Sequence, residues 1–148
     1  MKQIKIGIFG LGRGGGFNDN IMSNNGKIVA MCDRDKNKYD EACKDIEEKP
    51  AYYSDFDEFI NHDMDAVILA NYFHEHAPYA IKCMERGIHV FSECISNGTM
   101  AEGIELIRAY EKSNFPNTNF DLNSQPLILK SKELKQIVKQ TAFACSTT

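Results

Sequence analysis

The stretch that decides the fold is Ile6-Gly7-Ile8-Phe9-Gly10-Leu11-Gly12-Arg13-Gly14-Gly15-Gly16. It is an apolar segment that ends in a Gly-x-Gly-x-x-Gly pattern at Gly10, Gly12 and Gly15. In a strand–turn–helix unit the first glycine permits a tight turn, the second lets a pyrophosphate approach the backbone, and the third lets the helix pack close to the strand. The helix amides and dipole then face the phosphates. The pattern predicts a dinucleotide site; the alternative is a glycine-rich turn that binds nothing or another phosphate ligand.

A second apolar segment, residues 27–32, leads into Asp33. This is about 20 residues beyond the glycines, where a carboxylate accepts hydrogen bonds from a ribose 2′-hydroxyl. Because a 2′-phosphate would meet the same carboxylate, Asp33 predicts NAD as the cofactor. Arg34 leaves NADP possible, since its guanidinium could hold that phosphate. A solvated turn with local ion pairs is the alternative interpretation of residues 33–35.

The composition excludes several classes of protein. The chain has 148 residues, 43% of them hydrophobic and 26% charged, which indicates one soluble globular domain of ordinary size. Its net charge is −4 with no basic block, so nucleic acid is not an expected partner, and no apolar run is long enough to span a membrane. The five cysteines form no Cys-x-x-Cys pair, which predicts reduced thiols in the cytoplasm rather than disulfides or structural zinc.

Short apolar segments alternate with helical patterns along most of the chain. We expect strands at 4–9, 27–32, 51–53, 65–70 and 88–91, and helices at about 15–23, 36–46 and 100–112. A brief helix should follow a cap at Ser54 or Asp55, and another should carry Pro78 in its first turn. In the last helix, capped by Thr99, Ile104, Ile107 and Arg108 recur at helical spacing. This alternation predicts an α/β fold with a doubly wound parallel sheet, Rossmann-like.

The character of the chain changes after Ser113, where an Asn-rich, aperiodic stretch begins. We therefore expect a dinucleotide-binding domain over residues 1–113 and a divergent tail over 114–148. The tail could contain an edge strand at 126–129 and a helix at 131–143. It could complete the sheet or dock on a second copy of the chain.

Ligands of an open parallel sheet bind outside the carboxyl ends of its strands. Besides the glycines and residues 33–35, this rule brings segments 71–76 and 92–94 to the predicted site. His76 could be a pocket residue, a proton donor or a structural histidine; it lies two residues from His74 and completes no metal-ligand set. Cys94 could be a thiolate nucleophile or a small apolar residue. No metal is predicted.

The order and spacing of these features resemble the Gfo/Idh/MocA oxidoreductases. The resemblance covers about residues 3–113 and rests on residues 10–15, Asp33, the strand at 65–70, the spacing from His76 to Ala80, and Gly87-Ile88-His89-Val90-Phe91-Ser92-Glu93. It implies an NAD(P)-binding Rossmann domain that normally precedes a C-terminal substrate domain. It also implies hydride transfer between the cofactor and a small-molecule substrate, usually a sugar, polyol or derivative.

The motif and the resemblance together predict a set of cofactor-binding residues. They are Gly10, Leu11, Gly12, Arg13, Gly14, Gly15, Asp33, Arg34, Asn71, Tyr72, His76, Glu93 and Cys94.

The chain departs from the family pattern at two places. The family's Glu-Lys-Pro reads Glu93-Cys94-Ile95, and its Thr-Pro-Asn reads Asn71-Tyr72-Phe73. The lysine that in the family acts on the reacting hydroxyl is therefore absent, and no catalytic residue is assigned.

We further expect the family's substrate domain to be absent, leaving weak or no activity in isolation. The alternative function is a non-catalytic nucleotide-binding or regulatory module. Apolar side chains that would face the missing domain, namely Tyr72, Phe73, Phe115 and Phe120, predict a homo-oligomer.

Overall fold

The computed structural model describes residues 3–113 and the backbone of Leu127–Ile128. The strands are β1 (Ile4–Phe9), β2 (Gly26–Cys32), β3 (Ala51–Tyr53), β4 (Ala66–Leu69), β5 (His89–Ser92) and β6 (Leu127–Ile128). The helices are α1 (Leu11–Gly14), α2 (Asn18–Ser23), α3 (Lys36–Ala42), α4 (Phe56–Phe59), α5 (His76–Glu85) and α6 (Met100–Lys112), with 3₁₀ turns at Gly15–Phe17 and Phe73–Glu75.

The strands form one sheet in the order β3-β2-β1-β4-β5-β6. Strands β1 to β5 pair in parallel, and β6 pairs antiparallel with β5. The chain winds to one side of β1 and then to the other, which is the predicted doubly wound, Rossmann-like α/β fold. The fold prediction is confirmed, and the carboxyl ends of β1, β2 and β4 meet at the switch in strand order, where such sheets bind ligands.

Two apolar layers cover the faces of the sheet. On one face Ile6 and Ile8 pack with Ile21 of α2. On the other face Val67 of β4 packs with Phe59 of α4 and residues of α5. Since β1 alternates between the two layers, it is buried on both sides, as its continuous apolar sequence predicted.

The helix after the glycines begins earlier than the sequence predicted. It starts at Leu11 instead of near Gly15, because Gly10 completes the turn in one residue with φ 89° and ψ 91°. The helical segment then tightens into the 3₁₀ turn at Gly15–Phe17 before α2. A run of glycines supports regular α-helix poorly, which accounts for this interruption.

Helix α6 begins where the sequence predicted but packs through a different side chain. Thr99 and Glu102 form a reciprocal capping box at its start. Leu106 is buried against the core, whereas Ile104 and Ile107 are exposed. The spacing of apolar residues therefore identified the helix but not the face that packs.

Of the predicted tail, the structure describes only Leu127–Ile128, which lie within the predicted edge strand. The predicted loop and the helix at 131–143 lie outside the described residues. Within the described part of the chain, no helix has the length and apolar character that a membrane crossing requires.

Candidate functional site

The turn between β1 and α1 is built on Gly10. A Cβ on this residue would lie 2.5 Å from the Asn71 nitrogen and 2.6 Å from the Ala70 carbonyl carbon, both of them backbone atoms. The Gly10 N–H also donates to the Cys32 carbonyl oxygen at 2.9 Å. Glycine is thus required here for its positive φ and for space, and the turn is locked to the ends of β2 and β4.

The other glycines after β1 have packing roles that differ from those predicted from the sequence. A Cβ on Gly14 would meet Ile8 Cγ2 at 2.6 Å, so Gly14, not Gly15, brings the helix close to β1. Gly15 instead faces α3, where its Cβ would lie 3.2 Å from the Ala42 Cβ. A Cβ on Gly12 would meet only Lys38 Nζ, at 3.9 Å. Gly12 therefore borders open space that a ligand could enter.

Asp33 joins the glycine turn to the end of β2. Its Oδ2 accepts from the Leu11 N–H at 2.8 Å, and its Oδ1 accepts from the Asp35 N–H at 3.0 Å. The Asp33 carbonyl oxygen accepts from the Tyr52 hydroxyl at 3.0 Å, and burial is the main cause that raises the pKa of that hydroxyl. The carboxylate is thereby held in one orientation, and each oxygen keeps capacity for a further donor.

An open cleft of about 410 Å³ lies between the glycine turn and the ends of β2 and β4. Seven of the predicted cofactor-binding residues line it: Gly10, Gly12, Arg13, Asp33, Arg34, Asn71 and Tyr72. The predicted residues that do not line it are Leu11, Gly14, Gly15, His76, Glu93 and Cys94. The cleft thus gathers segments from three strand ends that are distant in sequence.

Asn71 brings an unsatisfied amide to this cleft. Its Nδ2 and Oδ1 atoms are buried and make no hydrogen bond with the residues that the structure describes. A buried amide without partners is costly, and this one offers both a donor and an acceptor. A dinucleotide, which carries hydroxyl, amide and phosphate groups, has the chemistry to satisfy it. Together with the open backbone at Gly12, the residues present therefore fit such a cofactor.

His76 lies behind the cleft with only 1% of its surface exposed. Its Nε2 is 3.1 Å from the Asn71 carbonyl oxygen, while its Nδ1 is 2.6 Å from Ser92 Oγ and 3.0 Å from the Ile95 carbonyl oxygen. The ring therefore ties the loop after β4 to the loop after β5. Of the alternatives that the sequence left open, this geometry favours the structural histidine.

Glu93 and Cys94 follow β5 and do not line the cleft. The buried Glu93 carboxylate pairs with the exposed Arg13 guanidinium, with 2.9 Å between Oε1 and Nε, so it reaches the glycine turn through Arg13. Cys94 is exposed and has φ 67°, a left-handed conformation that is uncommon for a side chain other than glycine, Asn or Asp.

Two residues that the sequence did not single out, Lys38 and Glu75, also line the cleft. Glu75 sits in the predicted segment 71–76, but nothing in the pattern marks which of its side chains face inward. Lys38 lies in the first turns of α3, a helix interpreted only as charged and amphipathic. The signal available in the sequence was its position soon after the apolar strand that leads into Asp33.

Residues 4–115 match the family described as an oxidoreductase family with an NAD-binding Rossmann fold. The chain belongs to the Gfo/Idh/MocA family. The predicted family, the NAD-binding fold and NAD as cofactor are thereby confirmed.

Two known proteins are similar to this chain over about three quarters of its length. The chain is 34% identical over 122 residues to glycosyl hydrolase family 109 protein 2 of Shewanella sp. strain ANA-3, covering 75% of this chain and 27% of that protein. Scyllo-inositol dehydrogenase of Lactobacillus casei, solved with NAD(H) and scyllo-inositol, superposes with a TM-score of 0.69 at 28% identity, over 76% of this chain and 34% of that one.

A third protein shows the fold alone. The WlbA dehydrogenase of Chromobacterium violaceum, solved with NADH and UDP-GlcNAcA, gives a TM-score of 0.67 at 22% identity, over 76% of this chain and 33% of that one. The chain thus spans about a quarter to a third of the length of the proteins it matches. Residues 4–115 of this chain are the NAD-binding domain of the Gfo/Idh/MocA family.

Proposed function

We propose that residues 1–113 bind NAD(H) in the cleft at the glycine turn and serve hydride transfer to or from a sugar, polyol or related substrate. The observation that supports the site most directly is Asp33, a carboxylate fixed by two backbone N–H groups at the edge of that cleft. A nicotinamide dinucleotide, when bound, supplies the hydride carrier.

Residues in and behind the cleft have roles in this proposal that follow from their chemistry. The first-turn N–H groups of Gly12 and Arg13 have no partner within α1 and suit a phosphate. Asp33 accepts hydrogen bonds from the adenosine ribose, and Asn71 offers its buried amide to polar groups of the cofactor. Glu93 acts through Arg13, and His76 positions the loop that carries Asn71.

The substrate class rests on the relatives. The inositol dehydrogenase was solved with scyllo-inositol, and the matched Shewanella protein carries a glycosyl hydrolase name. Cys94 occupies the place of the family lysine, so we assign no proton-transferring residue to this chain. Residues outside 1–113 would have to supply most of the substrate pocket.

The test is a fluorescence titration of the purified chain with NADH. We expect saturable binding that Asp33→Ala weakens by at least about ten-fold, because a hydrogen bond to a charged group contributes about 1.5–3 kcal/mol. Asp33→Asn keeps an acceptor without the charge, so its affinity for NADH should lie between those of the wild type and Asp33→Ala.

The control is Asp40→Ala, which removes an exposed carboxylate of α3 outside the cleft. Circular dichroism of each variant checks that the fold survives the loss of the bond to Leu11. Absence of saturable NADH binding at millimolar concentration, or equal affinity of wild type and Asp33→Ala, would contradict the proposal.

A second candidate function is a nucleotide-binding module that self-associates without catalysis. It is favoured by Tyr72 and Phe73, which are 72% and 56% exposed beside the cleft. Large exposed apolar groups in one place are typical of an interaction surface. Phe115 and Phe120, predicted to join them, lie outside the described residues.

Sedimentation velocity at micromolar concentration distinguishes a monomer from a dimer of this chain. We expect a dimer that the double substitution Tyr72→Ser and Phe73→Ser dissociates, while Met22→Ser on α2 leaves it intact. A wild-type monomer would exclude self-association.

We also propose that the chain works in a reducing, cytoplasmic environment. It is supported by four free cysteines in the described part of the chain, three of which (Cys32, Cys43 and Cys83) are buried as thiols. Buried, unpaired thiols are usual where disulfides do not form.

A further inference from the structure

A second cleft lies between α3 and the helical segment that follows the glycine turn. It encloses about 370 Å³, a volume within the range of small-molecule sites. Gly15 and Ala42 both line it, and a Cβ on Gly15 would lie 3.2 Å from the Ala42 Cβ, so its two walls meet there. Gly12 and Lys38 line both this cleft and the cleft at the glycine turn, whereas the other residues of its lining do not. The second cleft is therefore a neighbouring but separate space.

The second cleft has an excess of negative charge. Three carboxylates line it, namely Asp19 of α2, Glu41 of α3 and Asp45, which follows α3. All three residues are exposed, and they form no ion pair with the residues that the structure describes. The cation in the lining is Lys38, whose Nζ lies 3.8 Å from Asp33 Oδ1 in the neighbouring cleft. The unpaired carboxylates therefore favour a positively charged ligand.

The start of α3 determines which of its side chains face the second cleft. Asp35 caps this helix by accepting from the Asn37 N–H at 3.0 Å. Lys38 and Glu41 are three residues apart in the helix and thus lie side by side on one face. That face forms one wall of the second cleft.

Asn18 brings a buried, unpaired acceptor to the second cleft. The residue lines the cleft, is only 8% exposed, and its Nδ2 donates to the Ala42 carbonyl oxygen at 2.7 Å. Since a carbonyl oxygen only accepts, this bond fixes which end of the amide is the nitrogen. Oδ1 is left buried and makes no hydrogen bond with the residues that the structure describes. Such an oxygen is costly unless a donor reaches it.

These two observations together select an ammonium group as the ligand. The amide oxygen needs an N–H or O–H donor and the carboxylates need a positive charge, and an ammonium group supplies both. A hard metal ion would instead need several oxygens that converge on one point, and within the described part of the chain no group of three or more His, Cys, Asp or Glu is placed to hold one. Met22 and Ile46 also line the second cleft and offer apolar contact to methylene groups.

We propose that the second cleft binds an aliphatic polyamine. One ammonium group donates to Asn18 Oδ1, the others pair with the three carboxylates, and the methylene chain lies against Met22 and Ile46. This site goes beyond the proposed function and does not depend on it, because Asn18 and the three carboxylates lie outside the cleft at the glycine turn.

Isothermal titration calorimetry of the full chain with spermidine, at low ionic strength and without nucleotide, tests the site. We expect saturable binding of a single spermidine molecule. The double variant Glu41→Gln, Asp45→Asn should weaken this binding by about ten-fold or more, as expected for the loss of charged hydrogen bonds. Butylamine, which carries a single ammonium group, should bind more weakly than spermidine by about ten-fold or more for the same reason.

Two further variants make the result specific. The double variant Asp40→Asn, Glu58→Gln removes the same net charge from exposed residues outside the second cleft, and it should change the affinity for spermidine by less than about three-fold. Asn18→Ala removes the buried acceptor and should weaken binding by about three- to ten-fold. Because Asn18→Ala also loses the bond to Ala42, circular dichroism checks its fold; the Glu41 and Asp45 substitutions are on exposed residues and keep the test independent of that variant.

Three results would overturn the proposal. They are the absence of saturable spermidine binding at millimolar concentration, equal weakening in the two double variants, and tighter binding of magnesium ions than of spermidine. Unchanged affinity in a folded Asn18→Ala variant would overturn the role of the buried amide.

Discussion

Replacing Gly10 by alanine tests the turn on which the site is built. The new Cβ would lie 2.5 to 2.7 Å from three backbone atoms of Ala70 and Asn71, at the end of β4. These are backbone atoms directly after β4, and the Ala70 N–H donates to the Phe9 carbonyl oxygen of β1 at 2.8 Å, so they cannot move aside as a flexible side chain can. The residue would also have to keep φ near 89°, which L-residues rarely adopt.

The cost is the sum of these two effects. A left-handed conformation costs an L-residue about 1–2 kcal/mol, and forcing an extra carbon into a packed region costs about 1–3 kcal/mol. We therefore expect Gly10→Ala to lower the free energy of unfolding by about 2–5 kcal/mol. Against a total of about 5–15 kcal/mol for a typical domain, this is a large loss.

Urea denaturation followed by circular dichroism measures this loss, and two other glycines separate its causes. Gly87 has φ 73° but nothing within 4 Å of its Cβ position, so Gly87→Ala should cost only the conformational part, about 1–2 kcal/mol. Gly16 has neither constraint, and Gly16→Ala should be neutral or gain up to about 1 kcal/mol. A Gly10→Ala variant no less stable than Gly87→Ala would refute the packing argument.

The remaining predictions concern the α6 cap and the thiols. Thr99→Ala should lower the free energy of unfolding by about 1 kcal/mol, because the Glu102 N–H loses its bond to Thr99 Oγ1. Thr99→Ser keeps the hydroxyl and should cost much less. Equal losses in the two variants would argue against the cap. Burial raises the pKa values of Cys32 and Cys83 from 9.0 to about 12. Since the unfolded thiols lose protons first, the free energy of unfolding should fall as the pH rises from about 9 toward 12, and less steeply in a Cys32→Ala, Cys83→Ala double variant. If the unfolding free energy fell equally steeply with pH in the double variant, the buried thiols would not be the cause. In the native chain at neutral pH, a thiol reagent should modify the exposed Cys94 and spare both buried thiols.

Features that depend on local chemistry were predictable from sequence. The turn at Gly10, the carboxylate of Asp33 and the cap at Thr99 each follow from a residue type at a fixed offset from an apolar segment. The parallel order of β1 to β5 follows from the alternation of strands and helices together with the handedness of their connections. These rules need no knowledge of distant contacts.

Features that depend on the rotation of a helix were not predictable. When a helix starts four residues earlier, at Leu11 instead of Gly15, each later side chain is rotated about the helix axis by about 400°, which is about 40° beyond a full turn. With this start, Gly14 faces β1 and Gly15 faces α3. In α6, apolar residues occupy two faces, and only tertiary packing selects Leu106 over Ile104 and Ile107. Lys38 was missed for the same reason, since the side of α3 that faces the cleft is set by the cap at Asp35.

The buried ring of His76 has a mechanical consequence. Its hydrogen bonds join the segment that carries Asn71 and Tyr72, which lines the cleft, to the segment after β5 that carries Glu93 and Cys94, so these two segments are coupled through one side chain. A force that displaces either segment must also displace the other or break those bonds. The amide protons of both segments should therefore exchange with solvent through one shared opening event, and a fluorescent or spin label on either segment should report the motion of both.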